Sequence, residues 1–261
     1  MRKTILITGA TDGIGLLTAQ NLIDAEHEVI LHGRSQAKLD AALNSLSAPA
    51  KGFLADLSSL EAAAQMAKEV TAQHAKIDVL INNAGVYKTA EPILPNGHDI
   101  RFVVNTLAPY LLTKALLPRI PTDGRIINLS SAAQAPVSRE ALAGTRHVGD
   151  FEAYAQSKLA ITVWSAELAK SLPEGPVVIS VNPGSLLATK MVKEGFGVAG
   201  HDLNIGADIL CALALDAQFE GASGKYWDND AGRFSAPHEW AQDRTAVAGM
   251  MATLEDLIGS D

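Results

Sequence analysis

Short apolar runs alternate along this chain with longer stretches in which apolar residues recur at helical spacing. The short runs, such as ILIT, DVLIN and RIINL, are apolar at consecutive positions, which is typical of strands buried on both faces. Strands are predicted at Thr4–Thr8, Val29–His32, Lys51–Ala55, Val79–Asn82, Arg125–Ser130, Val177–Val181 and Lys225–Trp227. Helices are predicted at Gly15–Ala25, Gln36–Leu46, Leu60–Gln73, Ala153–Ser171 and within Pro237–Ile258.

This alternation predicts an α/β protein whose strands, about seven in number, form one doubly wound parallel sheet with right-handed crossovers. No linker, repeat or low-complexity tract interrupts the pattern, so residues 1–261 are expected to form a single domain. Two segments, residues 132–152 and 185–201, depart from this alternation of strands and helices. Long loops in compact domains commonly carry function, so both are predicted to be substrate loops.

Composition and charge restrict the possible partners. The chain is 48% hydrophobic and 19% charged, as expected for an ordinary buried core, and its net charge is −8 without a run of Lys or Arg. Neither nucleic acid nor a membrane is therefore expected as a partner. With no 18-residue apolar run, no signal-peptide pattern and a single cysteine, Cys211, among apolar neighbours, we expect a cytoplasmic protein with a buried thiol.

A glycine-rich turn, TGATDGIG at residues 8–15, follows the first predicted strand and opens a predicted helix. Glycines at these positions permit a tight turn and let the backbone approach a pyrophosphate at the N-terminus of the helix. A purely structural turn is the alternative interpretation. The motif predicts a dinucleotide site that includes Gly9, Thr11, Asp12, Gly13, Ile14 and Gly15.

The end of the second strand bears on the choice of dinucleotide. An NAD site favours Asp or Glu there, but this chain has His32-Gly33-Arg34. Arg34 can pair with a 2′-phosphate, although a solvent-facing arginine is the alternative. The carboxylate of Asp12 would oppose an added phosphate unless it points away. NADP(H) is favoured over NAD(H).

Tyr154 and Lys158, spaced as YAQSK, lie four residues apart and hence on one face of a predicted helix. A lysine ammonium in that position can lower the pKa of the tyrosine, which would make it a general acid and base near neutral pH. The alternative is a surface pair without chemistry.

Taken in order, T-G-x-x-x-G-I-G, N-N-A-G at 82–85, N-L-S-S at 128–131, Y-x-x-x-K and N-P-G at 182–184 resemble the short-chain dehydrogenase/reductase family over essentially the whole chain. The resemblance implies a Rossmann-type fold and hydride transfer between NADP(H) and a small-molecule carbonyl or alcohol. It also implies a homodimer or homotetramer.

The resemblance implies four catalytic residues: Asn105, Ser131, Tyr154 and Lys158. Ser131 would bond the substrate oxygen, with Ser130 as the fallback, and Asn105 would hold a water at a disturbed point of its helix. Besides Arg34, inferred above from its position, the cofactor contacts that the resemblance implies are Asp56, Leu57, Asn83, Ala84, Gly85, Tyr154, Lys158, Pro183, Gly184 and Thr189. The stretch Asn83–Gly85 could equally stabilise the sheet, and Thr189 follows Pro183 by one residue more than is usual.

Tyr154 follows Ser131 by 23 positions, a longer interval than in common family members and similar to the retinol dehydrogenase-like branch. Apolar residues in the two loops favour an apolar substrate over a sugar: Ala135, Pro136, Val137, Leu186, Leu187, Met191 and Phe196. The seven histidines lack metal-ligand spacing, so no metal is expected, and only His147 is suspected of touching substrate.

Other functions stay open at this point. They are an NAD-dependent alcohol dehydrogenase of the same family, a cofactor-sensing protein without redox activity, and a sugar-nucleotide epimerase, which usually has a longer chain. Trp164 and Trp227 are predicted to lie in the core or in a subunit interface.

Overall fold

A computed structural model of the protein describes residues 1–189, 191–193, 197 and 199–259. Within them lies one sheet of eight strands in the order β3-β2-β1-β4-β5-β6-β7-β8. The strands are β1 Thr4–Ile7, β2 Glu28–Gly33, β3 Lys51–Leu54, β4 Val79–Asn82, β5 Arg125–Leu129, β6 Val177–Asn182, β7 Tyr226–Asp228 and β8 Arg233–Ser235. All neighbours pair in parallel except β7 and β8, which are antiparallel.

Helices connect the strands and cover both faces of the sheet. They are α1 Gly13–Asp24, α2 Gln36–Ser45, α3 Leu60–Gln73, α4 Ile100–Phe102, α5 Ala108–Leu116, α6 Arg139–Leu142, α7 Asp150–Ser171, α8 Asn204–Leu215 and α9 Arg244–Ile258. A π-helical turn, Val103–Leu107, joins α4 to α5, and 3₁₀ turns occupy Leu117–Arg119, Ala217–Phe219 and Glu239–Gln242.

The core forms on both sides of the sheet because successive side chains of its central strands point to opposite faces. On one face, Ile7 of β1 packs in a cluster with Leu22 of α1 and Leu210 of α8. On the other, Leu80 of β4 packs in a cluster with Leu112 of α5. The predicted α/β doubly wound fold is confirmed, with one more strand than expected.

The additional strand, β8, is only three residues long and largely exposed, so it carries little alternation of apolar and polar residues. Tertiary packing holds it in place. The ring of Phe234 meets that of Trp227 at 5.0 Å and that of Phe219 at 6.1 Å, both edge to face. Trp227 thus lies in an aromatic cluster beside the sheet edge.

The loop at residues 132–152 is less irregular than predicted. It contains the short helix α6, and α7 begins at Asp150 instead of Ala153. Asp150 and Glu152 stand in the first turn of α7, where negative charge is favourable to the helix dipole. This electrostatic preference extends the helix beyond the apolar pattern from which its start was predicted.

The helical run Ile100–Arg119 is the described segment that meets the length and composition criteria for a membrane span, with a mean hydropathy of 1.2. The expectation that no such run exists is therefore wrong. Because 78% of the tested stretch is buried inside the molecule, the run has the character of a core helix. Trp164 of α7 is fully buried against it, its ring 5.3 Å from that of Tyr110.

Cys211 of α8 packs against the first of these core clusters. Burial, together with the carboxylates of Asp208 and Asp216, raises the pKa of its thiol to about 12. The thiol therefore stays protonated at neutral pH, as expected of a core cysteine.

Candidate active site

A cleft of about 990 Å³ opens at the carboxyl ends of the parallel strands. This is where doubly wound sheets bind ligands, next to the point at which the strand order reverses between β1 and β4. Its walls include every predicted cofactor residue together with Ser131, Tyr154 and Lys158. Of the predicted site residues, Asn105 is the one that does not line it.

The glycine-rich turn is packed too tightly for side chains. Gly9 has φ +63°, and a Cβ there would lie 2.8 Å from the Cα of Ala84. A Cβ on Gly15 would lie 2.5 Å from Nδ2 of Asn83. The N-cap residue of α1, Asp12, makes no side-chain capping bond, so the first-turn N–H groups stay available to an anion. These residues fit a dinucleotide pyrophosphate.

Asn83 ties the end of β4 to this turn. Its Nδ2 donates to the carbonyl oxygens of Thr8 and Gly9, each at 2.9 Å, and its backbone N–H donates to Oγ1 of Thr8 at 3.0 Å. The side chain of Asn83 thus stabilises this part of the sheet, and the residue also lines the cleft. Ala84 and Gly85 border the cleft beside it.

His32, at the end of β2, also fixes the turn and was not predicted from sequence. Its Nδ1 accepts from the N–H of Gly9 at 3.1 Å, and its Nε2 lies 3.0 Å from the carbonyl oxygen of Ala55. Burial lowers the pKa of the imidazole, so the ring is neutral, with the proton on Nε2. A polar residue inside a buried strand is the sequence signal that could have revealed it.

Arg34, Lys38 and Asp12 form a charged end of the cleft. Arg34 is exposed on the wall, and Lys38 of α2 makes an ion pair with Asp12 at 3.1 Å. The Asp12 carboxylate is thus matched by a cation, which weakens its opposition to an added phosphate. Lys38 was missed because its pairing depends on the fold.

Asp56 and Leu57 lie at the rim after β3. The carboxylate of Asp56 accepts from the N–H of Ser58 at 3.0 Å and from its hydroxyl at 2.8 Å, which orients it. Leu57 is 4% exposed and belongs to the core while touching the cleft. Both are placed to meet the adenosine side of a dinucleotide.

At the opposite end, Ser131, Tyr154 and Lys158 share one wall. The Ser131 hydroxyl accepts from the N–H of Ala133 at 3.1 Å and interacts with the phenol of Tyr154, whose pKa it acts to lower. Ser130, the fallback, is only 4% exposed, and its hydroxyl bonds Thr162 at 2.6 Å. Ser131 is therefore the serine of the pair that faces the tyrosine.

The pKa of Tyr154 lies above its ordinary value because burial raises it and the neighbouring phenol of Tyr87 adds to the rise, while the bond with Ser131 opposes it. The expected net lowering of this pKa is wrong for this structure, because burial dominates. The Lys158 ammonium lies 5.7 Å from the tyrosine ring centroid and donates to the carbonyl oxygen of Leu129 at 2.7 Å. Burial lowers the pKa of Lys158 to about 8.

Asn105 lies in the π-helical turn, the disturbance that the family resemblance implied near Pro109. It is fully buried, and its amide donates to the carbonyl of Val86 at 2.9 Å and to Oγ of Ser157 at 3.0 Å. A Cβ on Gly85 would lie 3.4 Å from Oδ1 of Asn105 and 3.6 Å from Nζ of Lys158. Both groups therefore lie close to the position that a side chain at Gly85 would occupy.

The ring of Tyr87 lies 5.0 Å from that of Tyr154 and also lines the cleft, although no motif indicated it. The second loop supplies apolar wall, as predicted, through Leu186, Leu187 and Met191. Thr189 also borders the cleft despite its unusual spacing, and lies within reach of Gly13.

The first loop contributes less than predicted. Ala135, Pro136 and Val137 do not line the cleft, and Val137 instead packs in the core. His147 is exposed and does not line the cleft, so its suspected contact with substrate gains no support there. Phe151, not predicted, stands at the mouth with 56% of its surface exposed. Phe196 lies outside the described residues.

A doubly wound sheet with a glycine-rich turn at one end of its crevice and a Ser–Tyr–Lys group at the other defines a dinucleotide-dependent oxidoreductase. Comparison with known proteins agrees. The family model described as short chain dehydrogenase matches residues 3–196. Human retinol dehydrogenase 13 is 30% identical over 98% of this chain and 85% of its own length.

Two solved structures are also similar. One, of a protein from Mycobacterium paratuberculosis, has a TM-score of 0.82 at 26% identity, covering 98% of this chain and 93% of that one. The other, a metagenomic short-chain oxidoreductase in complex with NADP, has a TM-score of 0.64 at 32% identity, covering 81% and 90%. The chain belongs to the short-chain dehydrogenase family, in its retinol dehydrogenase-like branch, and is an NAD(P)-dependent oxidoreductase acting on CH–OH or C=O groups.

Proposed function

We propose that this protein reduces an apolar aldehyde or ketone with NADPH, using Tyr154 as the proton donor. One observation carries the proposal: a single cleft joins the glycine-rich turn and two cations, Arg34 and Lys38, to Ser131 and Tyr154. The similar metagenomic oxidoreductase that was solved with NADP supports the choice of cofactor.

Different parts of the cleft would bind different parts of the cofactor. The turn at residues 9–15 would hold the pyrophosphate at the N-terminus of α1, and Arg34 with Lys38 would face the 2′-phosphate. Lys158, Pro183 and Gly184 would border the nicotinamide end. When bound, the nicotinamide supplies the hydride that the carbonyl carbon receives.

The protein supplies the proton and the electrostatics. Because burial raises its pKa, Tyr154 is protonated at neutral pH and can give its phenolic proton to the carbonyl oxygen as negative charge develops there. Ser131 donates a hydrogen bond to the same oxygen. The charge of Lys158 stabilises the phenolate that remains, and the product is the alcohol.

The cleft mouth favours an apolar substrate. Phe151 and Leu186 are 56% and 41% exposed there, and Met191 also lines the cleft. Exposed apolar surface of this kind gains most from covering the apolar part of a ligand. A cytoplasmic location and a homodimer or homotetramer remain proposals drawn from the sequence and the family resemblance.

The first experiment is a titration of the purified protein with NADPH and NADH, followed by nicotinamide fluorescence. Tighter NADPH binding is the expected result, and a preference for NADH would overturn the role of Arg34. Turnover is then measured on apolar aldehydes and ketones beside an open-chain sugar aldehyde. Binding without turnover of any of these substrates would instead favour a cofactor-sensing protein, and binding of neither cofactor would remove the proposal altogether.

A further inference from the structure

Two side chains hold the backbone of Ser131 from different parts of the fold. The hydroxyl of Tyr226 donates to the carbonyl oxygen of Ser131 at 3.1 Å. Nε2 of Gln134 donates to the same oxygen, also at 3.1 Å. A carbonyl oxygen has two lone pairs, so these two donors satisfy it completely.

Both donors are themselves fixed. Tyr226 belongs to β7, pairs in register with Ser180 of β6 and is 6% exposed. Burial raises the pKa of its phenol, which keeps the proton that the bond requires. Oε1 of Gln134 accepts from the backbone N–H of His238 at 2.9 Å, which settles the orientation of the amide. His238, which follows β8, therefore helps to hold Ser131 in place through Gln134.

The hydroxyl of Ser131 is anchored from its own loop, since it accepts from the N–H of Ala133 at 3.1 Å. With the carbonyl and the hydroxyl oxygen both held, the hydroxyl proton remains free to be donated toward Tyr154, with whose phenol Ser131 interacts. When substrate is bound, this single proton is donated to the substrate oxygen. In the free enzyme, its bond to Tyr154 stabilises the tyrosine in its charged form. The strength of that bond depends on where the Ser131 backbone sits.

We propose that Tyr226 is a positioning residue for the reaction, holding Ser131 so that its hydroxyl meets both Tyr154 and the substrate oxygen. The inference rests on the proposed function. Tyr226 lies 95 residues beyond Ser131 in the chain and touches neither the tyrosine nor the glycine-rich turn in any described contact. Its effect should therefore fall on the chemical step and not on cofactor binding.

The test is Tyr226→Phe, which removes the hydroxyl and keeps the ring. We expect kcat to fall about tenfold with the Kd for NADPH within about twofold, as for loss of one orienting hydrogen bond. In alcohol oxidation, where Tyr154 must lose its proton, the rise of kcat/KM with pH, which reports the free enzyme, should move to higher pH because the bond from Ser131 is weakened.

Tyr110→Phe is the matched control. Tyr110 is equally buried, at 3% exposed, and its hydroxyl bonds Glu255 away from the cleft. Both variants should lose thermal stability, but Tyr110→Phe should keep the wild-type kcat and pH profile. In a Ser131→Ala background, Tyr226→Phe should have no further effect on kcat.

The outcomes separate the two claims. An active wild-type enzyme whose kcat and pH profile are unchanged by Tyr226→Phe, or changed equally by Tyr110→Phe, overturns the inference alone. A full additional loss in the Ser131→Ala background also overturns it, since Tyr226 would then act elsewhere. A wild-type protein that turns over no carbonyl substrate overturns the proposed function and the inference with it.

Discussion

The two ends of the cleft are built differently. At the reaction end, Lys158 is 4% exposed and its ammonium is bonded to a carbonyl inside the protein. At the phosphate end, the paired side chains of Lys38 and Asp12 are 55% and 61% exposed, and Arg34 is exposed as well. One end is fixed by the fold, and the other is open to water.

This difference decides what each end can do. Charges and hydrogen bonds in a buried site act at low effective dielectric and need no reorganisation when the reaction occurs, so they act on the rate. Exposed charges are screened by solvent and salt, so each one adds a modest amount of affinity. Substitutions should therefore act on kcat at the reaction end and on cofactor affinity at the phosphate end.

The largest effect is expected for Tyr154→Phe, which removes the proton donor and keeps the ring. We expect kcat for carbonyl reduction to fall about 10³-fold, within the range for loss of a general acid. The Kd for NADPH should stay within a few-fold, because the pyrophosphate and 2′-phosphate contacts lie at the other end. Steady-state kinetics and a fluorescence titration check both, and a variant with near wild-type turnover would refute the assignment.

A smaller effect should appear in the pH profile of the wild-type enzyme. Burial lowers the pKa of Lys158 to about 8, so the ammonium loses its charge as the pH rises through that value. Tyr154 keeps its proton over the same range because its pKa is raised. The forming phenolate then lacks the cation that lies 5.7 Å from its ring centroid, and kcat/KM for reduction should fall above about pH 8. A profile that stays flat to pH 10 would contradict this.

The smallest effect is expected at the phosphate end, for Arg34→Ala. The Kd for NADPH should rise about tenfold through loss of one charge-assisted contact, while the Kd for NADH stays unchanged. The difference should shrink in high salt. Lys225→Ala, which removes an exposed positive charge away from the cleft, is the control for net charge. An equal rise in the Kd values for NADPH and NADH in Arg34→Ala would show that Arg34 does not bind the 2′-phosphate.

The features that could be predicted from the sequence are those encoded in neighbouring residues of the chain. Strands β1 to β7 were predictable because each carries apolar residues or lies in the regular alternation of strands and helices. The glycine-rich turn and the Tyr154–Lys158 pair were predictable for the same reason, because each motif lies within a single turn or a single helix.

The remaining features depend on contacts between distant segments. His32 meets Gly9, Lys38 meets Asp12, and Tyr226 meets Ser131, pairings that no local spacing encodes. The pKa of Tyr154 was predicted in the wrong direction for a related reason. Helical spacing brought Lys158 near the tyrosine, but its ammonium is bonded to Leu129, a residue of β5.

The protonated thiol of Cys211 has a practical consequence for following this enzyme in solution. It is the one cysteine in the chain, and with a pKa of about 12 it should react slowly with thiol-directed labels at neutral pH. A cysteine introduced by Phe151→Cys, at the exposed mouth of the cleft, would then be labelled with a fluorophore in strong preference to Cys211. The natural sequence is thus already close to a cysteine-free background for site-specific spectroscopy.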